Sequence, residues 1–319
     1  DSVGDTQLIL AAYLEWGEGC PERLLGDFAF ALWDPRARKL FCARDHFGMR
    51  PFYYHFVPGR RFVFASDARA ALVVPQVPYR LNEGRIADFL VPQLEWIDYT
   101  STFFEGVYRL PPGQRAVVTP KGMEISEYWS PEPARDPGVV SDDDYREGFL
   151  DVLTKAVQSR LRAPSGTVGS MLSGGMDSGS VVAIARDILA SGNEAPLSTF
   201  SAARKKHSDC PESRAIQATV AVPSLSPTFV YLEDLGECAE ALVSGNEEPF
   251  DGDAMLLKAL YRAAHLLGRR ILLDGSGGDV VLSEGSYVAR LLRKGRWVRA
   301  YKEIAGENRF WGGGLLLTN

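Results

Sequence analysis

The chain has 319 residues, a length that suits about two domains, and its 45% hydrophobic and 24% charged content is that of an ordinary folded protein rather than a disordered one. A formal charge of -6 disfavours non-specific nucleic-acid binding. No apolar run approaches the roughly 20 residues that span a bilayer, and the opening DSVGDTQ is acidic and polar, unlike a signal peptide.

In chain order, Thr6–Trp16 predicts a helix that needs a surface to pack on. Four short aromatic-rich runs follow, Phe28–Asp34, Lys39–Asp45, Phe52–Phe56 and Arg61–Ser66, each strand-like in length and residue type. With DPRARK and VPGR as turns between them, they predict an antiparallel meander. A helix is expected over Asn82–Leu90, with Asn82 as its N-cap. Two strands, Phe103–Leu110 and Gln114–Thr119, flank the PPG turn. The run SPEPARDPGVVSDDD has no apolar period and predicts a linker.

Beyond the linker the rhythm changes. Helices are predicted over Asp144–Leu161, Ser180–Ala190, Glu212–Ala221 and Ala254–Gly268. Strands are predicted over Val168–Leu172, Leu197–Ala202, Ser226–Leu232 and Arg269–Gly275. Strands alternating with helices argue for a parallel sheet covered on both faces, and ligands of such sheets sit beyond the carboxyl ends of the strands.

Two glycine turns follow such strands. In MLSGGMDSGS, Gly174 and Gly175 allow a tight turn and close backbone approach. The helix start after it favours an anion, and Ser173 and Ser178 offer hydroxyl donors. Asp177 suits an anion site only with a cation between, and a carboxylate beside phosphates points to magnesium. The bland alternative is a glycine turn with an aspartate cap. The run lacks the lysine of GxxxxGK[ST] but matches the SGGxDS loop of ATP pyrophosphatases. ILLDGSGGD repeats the pattern and ends on Asp279, which predicts that Asp177 and Asp279 face one magnesium. A third acidic loop, NEEPFDGDAM, is held outside the next helix by its proline and glycine and offers Glu248 as a catalytic acid or base.

Taken together, LLGDFAFALWD, LFCARDHFGMRPFYY, FVFASDARAA, RLPPGQ, EYW, MLSGGMDS, LSTFSA, NEEP and LLDGSGGD resemble the glutamine-dependent asparagine synthetase family over nearly the whole chain. The resemblance implies an α+β and α/β protein. Residues 1–134 would be the C-terminal part of a class II (type 2) glutamine amidotransferase domain of N-terminal-nucleophile fold. Residues 135–319 would be the N-terminal part of a parallel-sheet ATP-pyrophosphatase domain, the adenine nucleotide α-hydrolase-like synthetase domain. It further implies that Ser173, Gly174, Gly175, Asp177 and Ser178 bind the pyrophosphate of ATP, with Gly277 and Gly278 of the second turn beside them. Leu172, Ser201 and Ala202 would line the adenine, Asp177 and Asp279 would hold Mg2+, Glu248 would stand at an acyl-adenylate, and Asp5 would receive the amino group of glutamine.

The implied chemistry is adenylation of aspartate by ATP, followed by attack of ammonia drawn from glutamine. The nucleophilic cysteine and the synthetase lysine of the family have no counterpart here, since the chain starts and stops inside the expected frame. It is therefore expected to be an internal piece that does not complete the reaction. Val280 stands where the family usually has a glutamate, a drift shared with β-lactam synthetases and lasso-peptide cyclases, which adenylate a peptide-like carboxylate. A third expectation is an inactive homologue acting as a binding protein. Expected partners are small molecules (aspartate, glutamine or a peptide-like carboxylate) and, at most, a second copy forming a homodimer; nucleic acid and membrane are not expected.

The four cysteines (Cys20, Cys42, Cys210, Cys238) and four histidines are too dispersed for a zinc site, which predicts reduced thiols in a cytoplasmic protein. His46 and His55 read as structural. The basic run Arg293–Lys302 reads as a solvated helix face with Trp297 and Tyr301 on a packed edge, and the Asp142–Asp144 triplet as helix N-terminal charge.

Overall fold

A computed structural model of the chain describes residues 4–95, 97–132, 141–205, 211–244, 248, 252–278 and 287–310. The chain forms two compact units, Asp1–Asp136 with Asn246–Pro249, and Pro137–Gly245 with Phe250–Asn319.

The first unit opens with α1 (Asp5–Trp16), entered through Gly4, whose N–H donates to Gln7 Oε1 at 3.2 Å. A 3-10 segment, Gly17–Arg23, follows. Strands β1 (Ala29–Asp34) and β2 (Lys39–Arg44) form a hairpin, closed because Asp34 Oδ1 accepts from the N–H groups of Arg36 (2.9 Å) and Ala37 (3.0 Å). Then come β3 (Tyr53–Val57), β4 (Arg61–Ala65), α2 (Ala68–Leu72), α3 (Glu83–Leu90), α4 (Pro92–Glu95), β5 (Tyr108–Arg109), β6 (Gln114–Thr119) and β7 (Gly122–Glu127). The strands make two antiparallel sheets, β1-β2-β6-β7 and β4-β3-β5.

Strand alternation builds the layers. On one face of β2, Phe41 and Ala43 pack with Ala12, Tyr13 and Cys20 of the α1 layer. On its other face, Cys42 packs with Phe52, Tyr54 and Leu110 against the second sheet. The outer face of that second sheet, through Tyr53, Val63 and Ala65, meets Ala68 and Ala71 of α2. Helix, sheet, sheet and helix are thus stacked.

In the second unit, α5 (Asp142–Arg160) leads into β8 (Val168–Met171), α6 (Met176–Ser191), β9 (Leu197–Ala203), α7 (Pro211–Val220), β10 (Leu225–Tyr231), α8 (Leu235–Ser244), α9 (Gly252–Leu266) and β11 (Ile271–Leu273). Helices α10 (Tyr287–Arg293) and α11 (Trp297–Phe310) follow. The sheet is parallel throughout, in the order β10-β9-β8-β11. Val168, Leu172, Leu197 and Leu273 face Val157 of α5, Val182, Ala185 and Leu189 of α6 and Ile216 of α7. Met171, Phe200 and Leu272 face Leu260 and Ala264 of α9. A buried apolar side chain of this size contributes about 1.5–3 kcal/mol, and both faces of the sheet are covered in this way.

Several expectations change. The four aromatic strands are not one meander, because β2 pairs with β6 while β3 pairs with β5. The strand expected over Phe103–Leu110 shrinks to β5. Thr102 Oγ1 bonds the carbonyls of Phe104 (3.1 Å) and Val107 (2.8 Å), and Gly106 has φ +73°, so that stretch is a turn. Strand β7 was not anticipated. Helix α5 starts at Asp142, capped by Ser141, whose Oγ accepts from Asp144 N–H at 3.1 Å. Helix α6 starts four residues before its expected first residue, inside the glycine turn, with Gly175 as N-cap. Helix α9 includes Gly252. Trp297 and Tyr301 are 65% and 59% exposed, so the aromatic edge expected to be packed is open. The linker residues 133–140, and His207 and Cys210, lie outside the described residues.

Candidate functional site

The first glycine turn is built at the carboxyl end of β8. Leu172, 1% exposed, is tied to the next strand by its N–H, which donates to Phe200 O at 2.9 Å. The chain then reverses at Gly174 with φ +86°. A Cβ there would lie 2.4 Å from the carbonyl oxygen of Glu212. Both the backbone conformation and the contact therefore require glycine.

Two serines brace the turn. Ser178 Oγ accepts from Ser173 N–H at 3.1 Å, lies 2.9 Å from Ser173 Oγ and donates to Gly175 O at 3.3 Å. Ser173 Oγ accepts from Gly175 N–H at 3.3 Å. The first-turn amides of α6, from Met176, Asp177 and Ser178, have no intrahelical acceptor. They stand at the positive end of a 16-residue helix, where an anion is favoured.

The second glycine turn lies against this one, because β11 is the parallel neighbour of β8. A Cβ on Gly278 would fall 2.2 Å from Asp177 Oδ2, and one on Gly275 would fall 2.6 Å from Ser178 N. Gly277 has φ +84°, and Ser276 N–H donates to Asp274 Oδ1 at 2.9 Å. The turn is glycine-rich because Asp177 occupies the space its side chains would take. On the neighbouring strand, Ser201, 2% exposed, donates its hydroxyl to Leu172 O at 2.7 Å, and Ala202 follows it on β9.

Leu172, Ser173, Gly174, Gly175, Asp177, Ser178, Ser201, Ala202, Gly277 and Gly278 therefore share one end of one sheet. Asp279 and Val280 lie outside the described residues. The partly buried Asp177 carboxylate fits Mg2+, which takes one or two carboxylates and fills its remaining positions with phosphate and water oxygens. Among the described residues no group of three or more His, Cys, Asp or Glu side chains gathers to form a metal cage.

Glu248 and Asp5 belong to the first unit. Asp5 is exposed in the first turn of α1. Glu248 Oε2 accepts from Arg109 Nη2 at 2.5 Å. Arg109 was not singled out from the sequence, nor was Glu212, whose carbonyl closes over Gly174. Neither carries a local signal, since each acts on a residue distant in the chain.

The loop after β2 is also a built structure. Asp45, 1% exposed, accepts from the N–H groups of Phe47 (3.1 Å), Met49 (2.9 Å) and Arg50 (2.9 Å). The guanidinium of Arg44 donates to the carbonyls of Arg50, Leu110 and Gly48, and its burial lowers its pKa. His46 sits edge-on to Phe28, Tyr128 and Trp129, and His55 Nδ1 lies 2.8 Å from Gly106 O, so both have packed structural surroundings.

Residues 1–129 match the family described as Glutamine amidotransferase domain, and residues 148–312 match the family described as Asparagine synthase. Asparagine synthetase [glutamine-hydrolyzing] 3 of Bacillus subtilis is 31% identical over 203 residues, covering 63% of this chain and 32% of that protein. Amidase chry2 of Gibberella zeae is 29% identical over 300 residues, covering 86% and 42%. Putative asparagine synthetase [glutamine-hydrolyzing] 2 of Methanocaldococcus jannaschii is 28% identical over 291 residues, covering 90% and 54%. The chain thus spans from about a third to about half the length of these relatives. With glycine turns closed on one another at the carboxyl edge of a parallel sheet, and a family match over the residues that build them, the chain belongs to the asparagine synthase family.

Proposed function

We infer that the chain is part of an ATP-dependent, AMP-forming amide ligase that adenylates aspartate and receives ammonia from glutamine. In this reading residues 1–134 are the C-terminal part of the glutamine amidotransferase domain, and residues 135–319 are the N-terminal part of the synthetase domain. The observation that carries it is the closure of two glycine turns around Asp177, with Gly278 against its carboxylate and Gly275 against Ser178 N. Such a site takes a chain of phosphates: amides and hydroxyls for the oxygens, and one carboxylate for the cation between.

The chemistry follows from that placement. A substrate carboxylate oxygen forms a bond to the α-phosphorus of ATP, and the α–β bridge breaks with its electron pair leaving on pyrophosphate. The first-turn amides of α6 and the hydroxyls of Ser173 and Ser178 hold the departing pyrophosphate, where pre-aimed donors lower the barrier. Leu172, Ser201 and Ala202 line the nucleoside. Bound Mg2+, held by Asp177 and by Asp279, supplies charge neutralisation for the phosphates. Nitrogen then attacks the acyl carbon and AMP leaves, with Glu248 as the acid–base group. Asp5 receives the amino group of glutamine in the amidotransferase half. The dispersed cysteines and low net charge support a cytoplasmic enzyme acting on small molecules.

Val280, where the family usually has a glutamate, favours a second reading: the same adenylation on a peptide-like carboxylate. ATP–pyrophosphate exchange on the complete protein separates the two. Exchange that requires aspartate is expected. Exchange absent with aspartate, despite Mg-ATP binding, would move the substrate to a larger carboxylate. No binding of Mg-ATP at all would overturn the adenylation reading.

A further inference from the structure

Helix α5 carries two apolar stripes. Leu153 and Val157 form one, which packs in the core of the second unit. About a third of a turn round the helix, Tyr145, Phe149 and Val152 follow one another at i, i+4 and i+7, the spacing of a helix face made for burial. All three are exposed. A single exposed apolar side chain is ordinary, whereas a contiguous stripe marks an interaction surface. Acid flanks this one. Residues 142–155 hold five carboxylates and two bases, and the bases are engaged within the helix, Arg146 by Asp143 at 3.1 Å and Lys155 by Asp151 at 2.7 Å.

The opposite combination stands on α11 of the same unit. Ala300 is buried, while Trp297, Val298 and Tyr301 are exposed, with Trp297 and Tyr301 one turn apart. Residues 287–310 carry seven bases and two carboxylates in a chain of net charge -6. Arg293, Lys294, Arg296 and Lys302 are exposed around the aromatic pair. Gly295, Arg296, Trp297 and Val298 line a recess at the corner between α10 and α11. One helix therefore presents an acid-flanked apolar stripe, and the other a base-flanked one.

We propose that these surfaces are partners across a two-fold dimer: α5 of each copy packs on α11 of the other. Two-fold symmetry makes contacts reciprocal, so one pair of complementary faces is used twice. The apolar stripes supply the burial, and the opposite charges of their rims steer the encounter and fix the register. Tyr145, Phe149, Trp297 and Tyr301, each at least 47% exposed, offer roughly 400 Å² per copy, about half of the ~800 Å² that a stable dimer buries on each partner. Val152, Val298 and the charged rims add to it. Nucleic acid or an anionic membrane would suit the basic face of α11 but would leave the acidic stripe of α5 bare. A second copy covers both.

The test is sedimentation equilibrium of the complete protein. Wild type is expected to dimerise, and Phe149→Ala or Trp297→Ala to raise the dimer Kd at least about 10-fold. Glu147→Lys/Asp151→Lys reverses the rim of α5, and Arg296→Glu/Lys302→Glu reverses the rim of α11. Either double variant alone sets like charges against each other at both contacts and is expected to be monomeric. Mixed in equal amounts, the two variants join an altered α5 to an altered α11 at one contact and unaltered faces at the other. The dimer is therefore expected to return, which a misfolded variant could not bring about. A monomeric wild type, including one that captures RNA or anionic vesicles through α11, would overturn the proposal. So would a dimer indifferent to these substitutions, or a mixture that stays monomeric.

Discussion

Gly174 is constrained from two directions, by a φ of +86° and by the Glu212 carbonyl 2.4 Å from where a Cβ would stand. A non-glycine residue in a left-handed conformation costs about 1–2 kcal/mol, and here the clash adds to it. Gly174→Ala is therefore expected to destabilise the second unit by at least about 1–2 kcal/mol and to weaken ATP binding, measured by urea unfolding and nucleotide titration. Gly179 is the contrast: it lies inside α6 with nothing within 4 Å of its Cβ position, so Gly179→Ala should stabilise by about 1 kcal/mol. Asp177→Asn keeps the shape that Gly278 packs against and removes the charge. It should abolish magnesium-dependent pyrophosphate release while the circular dichroism melt stays near wild type; retained activity would refute the metal role. The turn was legible in the sequence because its demands are local: glycines for φ and approach, and serines that brace it through Ser178 Oγ. The Glu212 carbonyl was not, because a backbone oxygen from another helix leaves no mark in the sequence near Gly174.

Elements were legible where a cap or a period announced them. Asn82 is the clearest case. Its Oδ1 accepts from Arg85 N–H at 3.2 Å, and its Nδ2 donates to Thr102 O at 3.1 Å. The cap was readable from residue type, but the second bond was not, since Thr102 comes from a turn whose form depends on its own hydroxyl. Asn82→Ala loses both and should cost about 1–2 kcal/mol in urea unfolding. Asn82→Asp keeps the cap oxygen and should cost less; equal losses would mean that the Thr102 bond dominates. The start of α6 was misplaced for a related reason. The apolar period begins at Val181, whereas the helix begins at Met176 behind its glycine cap. That places Asp177 and Ser178 in the first turn, where the dipole and free amides act.

At the scale of the whole molecule, no local signal announces the pairing of Arg109 with Glu248, which are 139 residues apart. Within the first unit, strand β2 is the element both core faces share. Cys20 packs on one face of it through Phe41 and Ala43, and Cys42 lies on the other. Both are free thiols and 0% exposed. Burial pushes the thiol of Cys20 up to about 11 and that of Cys42 up to about 12, against about 8.5 for an unfolded cysteine. Above pH ~8.5 the unfolded chain gives up thiol protons that the folded chain keeps, so stability must fall as pH rises towards those folded values. With Cys210 and Cys238 replaced by serine, alkylation of both remaining thiols should be slow in buffer. Both should become reactive at one urea concentration, because losing β2 opens both faces at once. That midpoint should be unchanged between pH 7 and 8 and fall between pH 9 and 10. A Cys20 that reacts well before Cys42 would mean that the α1 layer opens by itself. A midpoint flat across the alkaline range would mean that the thiols ionise in the folded protein as readily as outside it.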